Sequence, residues 1–425
     1  MNRSALRERG PVLASLLLTL AFGLLCFVRL ATPSTIYFDE TYYPAAARAI
    51  LHLSRQLNPE HPMVGKELIA AGIALYGNNA FGWRFFPALF GTLALFAAMR
   101  ALWFATLSRF ATLAGGWLLA TGFMLFVQSR IAMLDIFMVC FVMIALWMCA
   151  AAMREAERAR WRLIIAGIAL GCAMGSKWNA VPVAILPGVA FLAIRAKHAG
   201  WRVLFSTRGA PIPGISLAEA TLWLGLLPLA VYWLTYWPAF LMAYDPVSPW
   251  GFIGTHRHMI ALQESTGKLS HPYRSEWYQW VLNLKPIWYL YREADGAQRG
   301  IFMVGNPLTM LIGLPALLWC VWAGLFRDHR AALAVSILYA ASLGLWVIAP
   351  KPVQFYFHYL LPGCFLLAAL AIALDRLWQA GWRKVSLAVL AASAALFAFF
   401  YPILSAAPLA GEQSFRLWNW LPGWV

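Results

Sequence analysis

The chain has 425 residues, of which 62% are hydrophobic and only 12% are charged. A soluble domain carries about twice that charged fraction, so the composition excludes a row of soluble domains and indicates one polytopic membrane body. The net charge of +16 comes from basic residues scattered between hydrophobic segments. That scatter argues against nucleic-acid binding and favours membrane orientation and contact with anionic lipid.

The chain begins with a basic segment, residues 1–9, followed by an apolar run from about 12 to 28. This order resembles a signal peptide, but the run is long and no small-x-small cleavage site follows it. We therefore expect an uncleaved first membrane helix.

Hydropathy predicts eleven helices of a length that can cross a hydrocarbon core of roughly 30 Å. They lie near 11–30, 83–105, 109–127, 132–153, 161–176, 178–196, 217–240, 302–325, 331–349, 355–374 and 384–404. With no internal repeat and no polar linker, residues 1–425 are expected to form one all-α membrane domain. Its parts are a first outer loop (31–82), a long outer loop (241–300) and a C-terminal four-helix part (301–425).

The short loops predict the orientation of the chain. Arginine and lysine are concentrated in 154–162, 195–208, 327–330 and 376–384, and short basic loops remain cytoplasmic. We therefore expect a cytoplasmic N-terminus and an outer C-terminus.

This orientation places polar residues from many separated stretches on the outer side. Ionisable groups at a membrane boundary are costly, so their convergence indicates an active site. The residues are Asp39, Glu40, His61, Lys66, Arg84, Arg130, Asp135, Lys177, Lys351 and His358, together with loop 241–300.

The first outer loop contains the adjacent carboxylates of Asp39 and Glu40. Transfer of a sugar from a lipid phosphate requires a carboxylate that accepts the proton of the attacking hydroxyl, and cations that stabilise the departing phosphate. Asp39 is the candidate base, and Glu40 could bind the sugar or the acceptor. The alternative for both is an acidic helix N-terminus.

Three lysines are candidate phosphate ligands: Lys66, Lys177 and Lys351. The alternative for each is a side chain that anchors the chain at the interface. Arg130 and Asp135 could instead form a structural ion pair at the membrane boundary.

The long outer loop is rich in aromatic residues, which predicts interfacial helices or one wall of a substrate cleft. His256 and His258 could bind a metal ion if the chain there is extended, although no further ligand pattern supports it. His271 precedes a proline and could serve a turn as readily as a substrate. His358 is expected to be a hydrogen-bonded interfacial histidine.

The chain resembles the protein O-mannosyltransferase family, which belongs to the GT-C membrane glycosyltransferases. The similarity runs through nearly the whole chain in order. It is carried by Phe38-Asp39-Glu40-Thr41-Tyr42-Tyr43, His61-Pro62-Met63-Val64-Gly65-Lys66, Gly82-Trp83-Arg84-Phe85, Ser129-Arg130 with Leu134-Asp135, Gly175-Ser176-Lys177-Trp178, His271-Pro272-Tyr273, Lys285-Pro286-Ile287-Trp288-Tyr289, Gly305-Asn306-Pro307 and Phe357-His358-Tyr359-Leu360-Leu361-Pro362.

The resemblance implies a GT-C fold and an inverting transfer of mannose from a polyprenyl-phosphate donor to Ser or Thr hydroxyls. It implies a catalytic role for Asp39, an acidic neighbour in Glu40 and an essential arginine in Arg84. The expected setting is a bacterial inner membrane with a periplasmic active site. It leaves open the acceptor and any requirement for a divalent cation.

Two features depart from the family pattern. Met63-Val64 stands where Pro-Leu is usual, and loop 241–300 is too short for the MIR domain of the eukaryotic members. One alternative is a sister GT-C enzyme of the aminoarabinose-transferase type, with a lipid or glycan acceptor. Those relatives usually add a soluble domain after the last span. The other is a transporter, which is disfavoured because the charges cluster at one interface and no repeat is visible.

The six cysteines all lie in apolar runs and show neither CxxC nor metal-ligand spacing. We expect buried free thiols and no disulfide framework.

Overall fold

The computed structural model describes residues 10–265, 271–349, 351 and 353–424. Most of them are helical. In chain order the helices are α1 (Val12–Phe27), α2 (Tyr43–Leu51), α3 (Val64–Tyr76), α4 (Ala80–Thr106), α5 (Arg109–Thr121), α6 (Met124–Gln128), α7 (Asp135–Arg154), α8 (Ala159–Ser176), α9 (Val181–Ala199), α10 (Leu217–Leu234), α11 (Trp237–Phe240), α12 (Phe252–Ser265), α13 (Trp277–Val281), α14 (Pro307–Phe326), α15 (Arg330–Ile348), α16 (Leu360–Gln379) and α17 (Arg383–Leu404).

Among the described residues, eight helical segments are long and apolar enough to cross a membrane: Ala80–Thr106, Asp135–Arg154, Trp178–Ala199, Leu217–Leu234, Pro307–Phe326, Arg330–Ile348, Tyr356–Gln379 and Arg383–Leu404. The first predicted span corresponds to α1, which has 16 residues, and the fifth corresponds to α8. The helical, polytopic character expected from the sequence is confirmed.

The third predicted span, 109–127, is wrong as one continuous helix. It breaks between α5 and α6, where Phe123 adopts a positive φ of 72°. The Gly122 carbonyl oxygen accepts hydrogen bonds from the backbone N–H groups of Met124 and Asn306 instead of continuing a helix.

The first outer loop is built from α2 and α3, which pack on each other, and α3 also packs on α4. Gly72 permits that second contact, since a Cβ there would lie 2.3 Å from the carbonyl oxygen of Gly82 on α4. Small residues let helix backbones approach closely in membrane proteins. The loop is therefore held directly on the helix that carries Arg84.

The long outer loop contains helices α12 and α13 and also an antiparallel hairpin, β1 (Ile287–Ala294) and β2 (Ala297–Met303). The all-α expectation missed this hairpin. Its two-residue turn, Asp295-Gly296, has positive φ at both positions (49° and 71°), the geometry that favours Asp-Gly in tight hairpins. The predicted start of the eighth span at 302 is wrong because residues 302–303 belong to β2.

The segment after α17 returns to the hairpin. The Trp424 carbonyl accepts a hydrogen bond from Trp288 Nε1 at 2.8 Å, and Trp424 Nε1 donates to the Asn283 carbonyl at 2.7 Å. The Trp424 side chain is buried. The C-terminal segment thereby fixes β1 beside the first outer loop.

Candidate active site

Asp39 lies on a short 3-10 turn, Phe38–Thr41, between α1 and α2. Phe38 begins the turn with a positive φ of 49°, and its ring packs on Tyr289 of β1 with centroids 4.5 Å apart. The Thr41 hydroxyl donates to the Phe38 carbonyl at 2.9 Å. The ring contact and this hydrogen bond fix the turn. Asp39 itself is half-buried, and its carboxylate accepts no hydrogen bond from any described residue.

Glu40 points the other way, into the protein, and forms a fully buried ion pair with Arg84 of α4. Arg84 Nε and Nη2 each lie 2.7 Å from one carboxylate oxygen of Glu40. The Ala132 N–H also donates to this carboxylate at 3.0 Å. Because bidentate arginine–carboxylate pairs have a specific geometry, this contact fixes the orientation of the turn that carries Asp39.

The remaining donors of Arg84 are also occupied. Its Nη1 donates to the carbonyl oxygens of Leu30 (3.2 Å) and Pro33 (2.7 Å), and its Nη2 donates to that of Thr35 (3.2 Å). A guanidinium has five N–H groups, and all five have acceptors here. Arg84 therefore holds the first outer loop and presents no free donor to a substrate.

Arg130 serves the end of α1 in a similar way. Its Nη1 donates to the carbonyls of Cys26 (2.6 Å) and Val28 (2.7 Å), and its Nη2 donates to those of Arg29 and Ser405 (both 3.3 Å). A cation at a helix C-terminus satisfies the last carbonyls and complements the helix dipole. The alternative of an ion pair between Arg130 and Asp135 is not formed, because Asp135 pairs with Lys177.

Asp135 pairs instead with Lys177, with Nζ 2.7 Å from Oδ2, and both side chains are buried. This contact joins the start of α7 to the turn after α8. The other Asp135 oxygen, Oδ1, has no hydrogen-bond partner among the described residues, and Lys177 Nζ also lies over the Phe357 ring at 4.8 Å from its centroid. One carboxylate oxygen of Asp135 is therefore paired with Lys177, and the other has no described partner.

Lys351 forms neither a salt bridge nor a side-chain hydrogen bond with the described residues, and its side chain is half-buried. Burial lowers the pKa of its ammonium to about 8, and the charge of Lys177 acts in the same direction, whereas Asp39 and Asp135 act against it. Burial raises the pKa of the Asp39 carboxyl to about 6, and Asp135 adds to the rise while Lys177 and Lys351 oppose it. The pKa values of Asp39 and Lys351 therefore depend on each other's charge and on the charges of Asp135 and Lys177.

Lys66 and His61 belong to the wall of the site. Lys66 Nζ donates to the carbonyls of Asn58 (2.6 Å), His61 (2.7 Å) and Leu57 (3.3 Å), so its three donors are used by the loop between α2 and α3. The His61 ring packs against Tyr43 with centroids 6.0 Å apart. Burial, followed by the charges of Lys177, Lys351 and Lys66, holds the pKa of His61 well below its usual range.

His271 and His358 lie in one aromatic cluster around Phe355. The His271 ring is 4.9 Å from Phe355 and 6.5 Å from Phe38. His358 is buried, stacks on Trp346 at 3.9 Å, and accepts a hydrogen bond at Nδ1 from the Phe355 N–H at 3.0 Å. The expectation of a hydrogen-bonded histidine holds for His358.

The weak metal candidates, His256 and His258, do not form a pair. They lie on helix α12 rather than on an extended chain, and positions two apart on a helix face different sides. His256 uses both ring nitrogens, toward the Tyr232 hydroxyl (2.6 Å) and the Phe252 carbonyl (2.7 Å), while His258 is exposed. Across the described ranges no cluster of three or more His, Cys, Asp or Glu side chains could hold a metal ion. The six cysteines are free, as expected.

Two residues of the site were not selected from the sequence, Tyr289 and Gln128. Both are buried, and Gln128 Nε2 donates to the Tyr289 hydroxyl at 2.7 Å. Burial raises the pKa of that hydroxyl well above its usual value, and the charges of Asp135 and Asp39 add to the rise. The signal that could have found Tyr289 is the Asp-Gly hairpin turn that follows it, because the hairpin carries it to Phe38.

Comparisons with known proteins agree with this geometry. Residues 15–244 match the family described as dolichyl-phosphate-mannose-protein mannosyltransferase, and residues 250–424 match the C-terminal four-transmembrane region of protein O-mannosyltransferases. The chain belongs to the protein O-mannosyltransferase family.

A relative in this family is the polyprenol-phosphate-mannose–protein mannosyltransferase of Mycolicibacterium smegmatis, which is 28% identical over 98% of this chain and 93% of its own length. The Saccharomyces cerevisiae protein O-mannosyltransferase Pmt1–Pmt2 complex bound to the sugar donor has a chain that superposes with a TM-score of 0.80 at 15% identity, covering 97% of this chain and 92% of that one. The apo ArnT of Cupriavidus metallidurans superposes with a TM-score of 0.57 at 17% identity, over 95% of this chain and 67% of its own. These likenesses establish the GT-C fold of this family member.

Proposed function

We propose that this membrane enzyme transfers mannose from polyprenyl-phosphate mannose to Ser or Thr hydroxyls of exported proteins. The family assignment and the names of the full-length relatives support the donor and the protein acceptor. The observation in the structure that carries the proposal is the state of Asp39. It is half-buried and accepts no hydrogen bond from the described residues, and the charges of Lys177 and Lys351 act on the pKa of its carboxyl.

Each step of the transfer has a group in this site that could perform it. The acceptor hydroxyl oxygen attacks the anomeric carbon of the mannose, the carbon–oxygen bond to the phosphate breaks, and Asp39 takes the hydroxyl proton. A base with a pKa near 6 is largely ionised at neutral pH and is stronger than an ordinary carboxylate. Lys351 stabilises the phosphate that departs, because a preorganised cation acts on charge as it develops.

Other predicted site residues support these groups without contacting the substrate. Glu40 and Arg84 orient the turn that carries Asp39, and Asp135 orients Lys177. Arg130 and Lys66 hold the surrounding backbone. In this proposal the active site faces the periplasm of a bacterium and the N-terminus is cytoplasmic, as the short basic loops predict.

The test uses purified protein, polyprenyl-phosphate mannose labelled in the sugar, and a peptide containing one threonine. We expect label in the peptide with wild-type protein and a loss of at least about a hundredfold in rate with Asp39→Asn, which is nearly isosteric and cannot accept the proton. A matched control is Asp245→Asn, an exposed outer-side carboxylate. Transfer by Asp39→Asn at the wild-type rate would refute the assignment, and transfer to a lipid but not to the peptide would refute the protein acceptor.

A further inference from the structure

Strand β1 has one edge that is not paired in the described structure. The sheet contains only β1 and β2 there, and no backbone hydrogen bond joins residues 288–293 to any described segment outside the hairpin. The outer edge of β2, in contrast, is covered at Gln298, whose carbonyl accepts the N–H of Leu409 at 2.8 Å.

The register tells which backbone groups face that open edge. A two-residue turn closes on a hydrogen-bonded pair, here Ala294 and Ala297, and hydrogen-bonded and non-bonded pairs then alternate along the strands. The backbone groups of Arg292 therefore face β2, while those of Tyr291 and Glu293 face outward. The outward carbonyl of Gln298, opposite Glu293, follows the same alternation.

A cavity of about 330 Å³ lies along the β1 edge. It is separate from a cavity of about 390 Å³ elsewhere on the outer side. Strand β1 forms one wall of the smaller cavity, and the first outer loop forms the other. Its lining residues are Ile36, Tyr37, Phe38 and Thr41 on one side and residues 288–292 on the other.

Side chains rather than backbone bridge the two walls. Arg292 Nη2 donates to the Thr35 hydroxyl (3.2 Å) and the Ile36 carbonyl (3.3 Å), and the Ser34 N–H donates to the Asp295 carboxylate (2.9 Å). Directly paired strands lie about 4.8 Å apart, whereas these two backbones are separated by an arginine side chain. The gap is bounded at the hairpin tip and is lined by free backbone groups.

The other end of the cavity lies next to the turn that carries Asp39. Phe38 and Thr41, the residues on either side of Asp39-Glu40, both line it. A chain lying in the cavity therefore runs past this turn. Among the described lining residues Arg292 is the one cation, and its Nη2 donates to the loop.

We propose that this cavity is the acceptor subsite and that the acceptor protein binds in it as an extended strand added to the outer edge of β1. This inference rests on the proposed function and specifies how its acceptor is held. Strand addition uses main-chain hydrogen bonds for affinity, so it accepts many sequences around the reacting hydroxyl. Alternate side chains of a strand point to opposite faces, which presents the Ser or Thr at one register position to Asp39.

The first experiment scans a seven-residue acceptor peptide with one N-methyl group at a time, keeping its single threonine. Removal of an N–H that faces β1 should raise KM for the peptide at least about tenfold, and the effect should alternate with a period of two along the peptide. KM for the lipid donor should stay unchanged. Equal effects at all positions, or no effect at any, would overturn strand addition.

The second experiment places a photoreactive diazirine amino acid at Ile36, in the proposed subsite, or at Tyr244, in the cavity lined by Ser54, Arg55, Tyr244 and Asp245. We expect the labelled peptide to crosslink to the Ile36 position and not to the Tyr244 position, with competition by unlabelled peptide. Capture at Tyr244 alone would overturn the subsite.

The two proposals can fail separately. Crosslinking does not require turnover, so the subsite is decided even for a preparation that transfers no mannose. If mannose reaches the peptide while the N-methyl scan is flat and Ile36 captures nothing, the function stands and the subsite is wrong. If no peptide of any sequence accepts mannose, the proposed function fails.

Discussion

At the scale of single residues, the ionisable groups on the outer side differ in whether their hydrogen bonds are already used. The side-chain N–H groups of Arg84, Arg130 and Lys66 donate to backbone carbonyls, and those of Arg84 also donate to Glu40. The Asp39 carboxylate makes no hydrogen bond, and Lys351 forms no salt bridge, to the described residues. All of them can be identified from the sequence, because a charge near a membrane is costly whether it holds the backbone or contacts the substrate. Only the contacts separate a residue that shapes the site from one that meets the substrate.

The pH dependence of transfer should reflect the two free groups. Asp39 must be ionised to act as a base, so activity should fall as the pH drops through about 6. Lys351 must be protonated to meet phosphate, so activity should fall as the pH rises through about 8. We expect a bell-shaped profile of kcat/KM for the peptide, measured from pH 5 to 9.5 at constant ionic strength.

The variant Lys351→Met assigns the basic limb of this profile. It should reduce kcat by at least about tenfold and remove the decline near pH 8, while the decline near pH 6 remains. Arg257→Met, which removes an exposed cation from helix α12, is the control and should retain both limbs. An unchanged basic limb in Lys351→Met would assign that ionisation to another group.

At the scale of structural elements, the turn that carries Asp39 is positioned by contacts with α4 and with the hairpin. The Glu40–Arg84 pair joins it to α4, and the Phe38–Tyr289 ring contact joins it to β1. Neither partner is near in sequence. The helical partner could be anticipated from the family motif, but the hairpin partner could not be derived from the hydrophobic pattern of loop 241–300.

The Arg84 contact should be important for folding as well as for activity. Removing one partner of a buried ion pair leaves an uncompensated charge, which costs about 3–5 kcal/mol. We therefore expect Arg84→Met to lower the thermal unfolding midpoint in detergent and to reduce transfer. Arg160→Met is the matched control, because the Arg160 side chain in its pair with Glu219 is 65% exposed and such exposed pairs add little to stability. Equal midpoints for the two variants would contradict the positioning role.

The hairpin turn allows a second test at this scale. Gly296 has φ of 71°, and a Cβ there would meet no atom within 4 Å, so Gly296→Ala adds only the backbone cost of a left-handed residue, roughly 1–2 kcal/mol. We expect weaker peptide binding, seen as a raised KM, with an unchanged KM for the donor. Gly254→Ala on helix α12 is the control, since it has the same open space without the positive φ. A raised KM in Gly254→Ala alone would contradict this role of the turn.

At the scale of the whole molecule, the sequence predicted the membrane helices well and the irregular parts less well. A run of about 20 apolar residues has few alternatives in a bilayer, so helices α7, α15 and α17 lie close to their predicted positions. At the break beside Phe123, the Gly122 carbonyl accepts a hydrogen bond from the N–H of Asn306, which lies far along the chain. The β1–β2 hairpin depends on its turn and on packing with the C-terminal segment. The contact at the break leaves no local pattern in the sequence, whereas Asp295-Gly296 is a local signal for the hairpin turn.

The orientation proposed for the whole molecule rests on the short basic loops and can be tested directly. The six native cysteines are buried or half-buried and can be replaced by serine or alanine to give a silent background. In intact cells with a permeable outer membrane, a membrane-impermeant thiol reagent should label Trp250→Cys, a position that is 94% exposed on the long outer loop. It should label Lys197→Cys, an exposed position at the end of α9, only after the inner membrane is opened. The reverse pattern would move Asp39 and Lys351 together to the cytoplasmic side, leaving the site intact but placing its acceptors inside the cell.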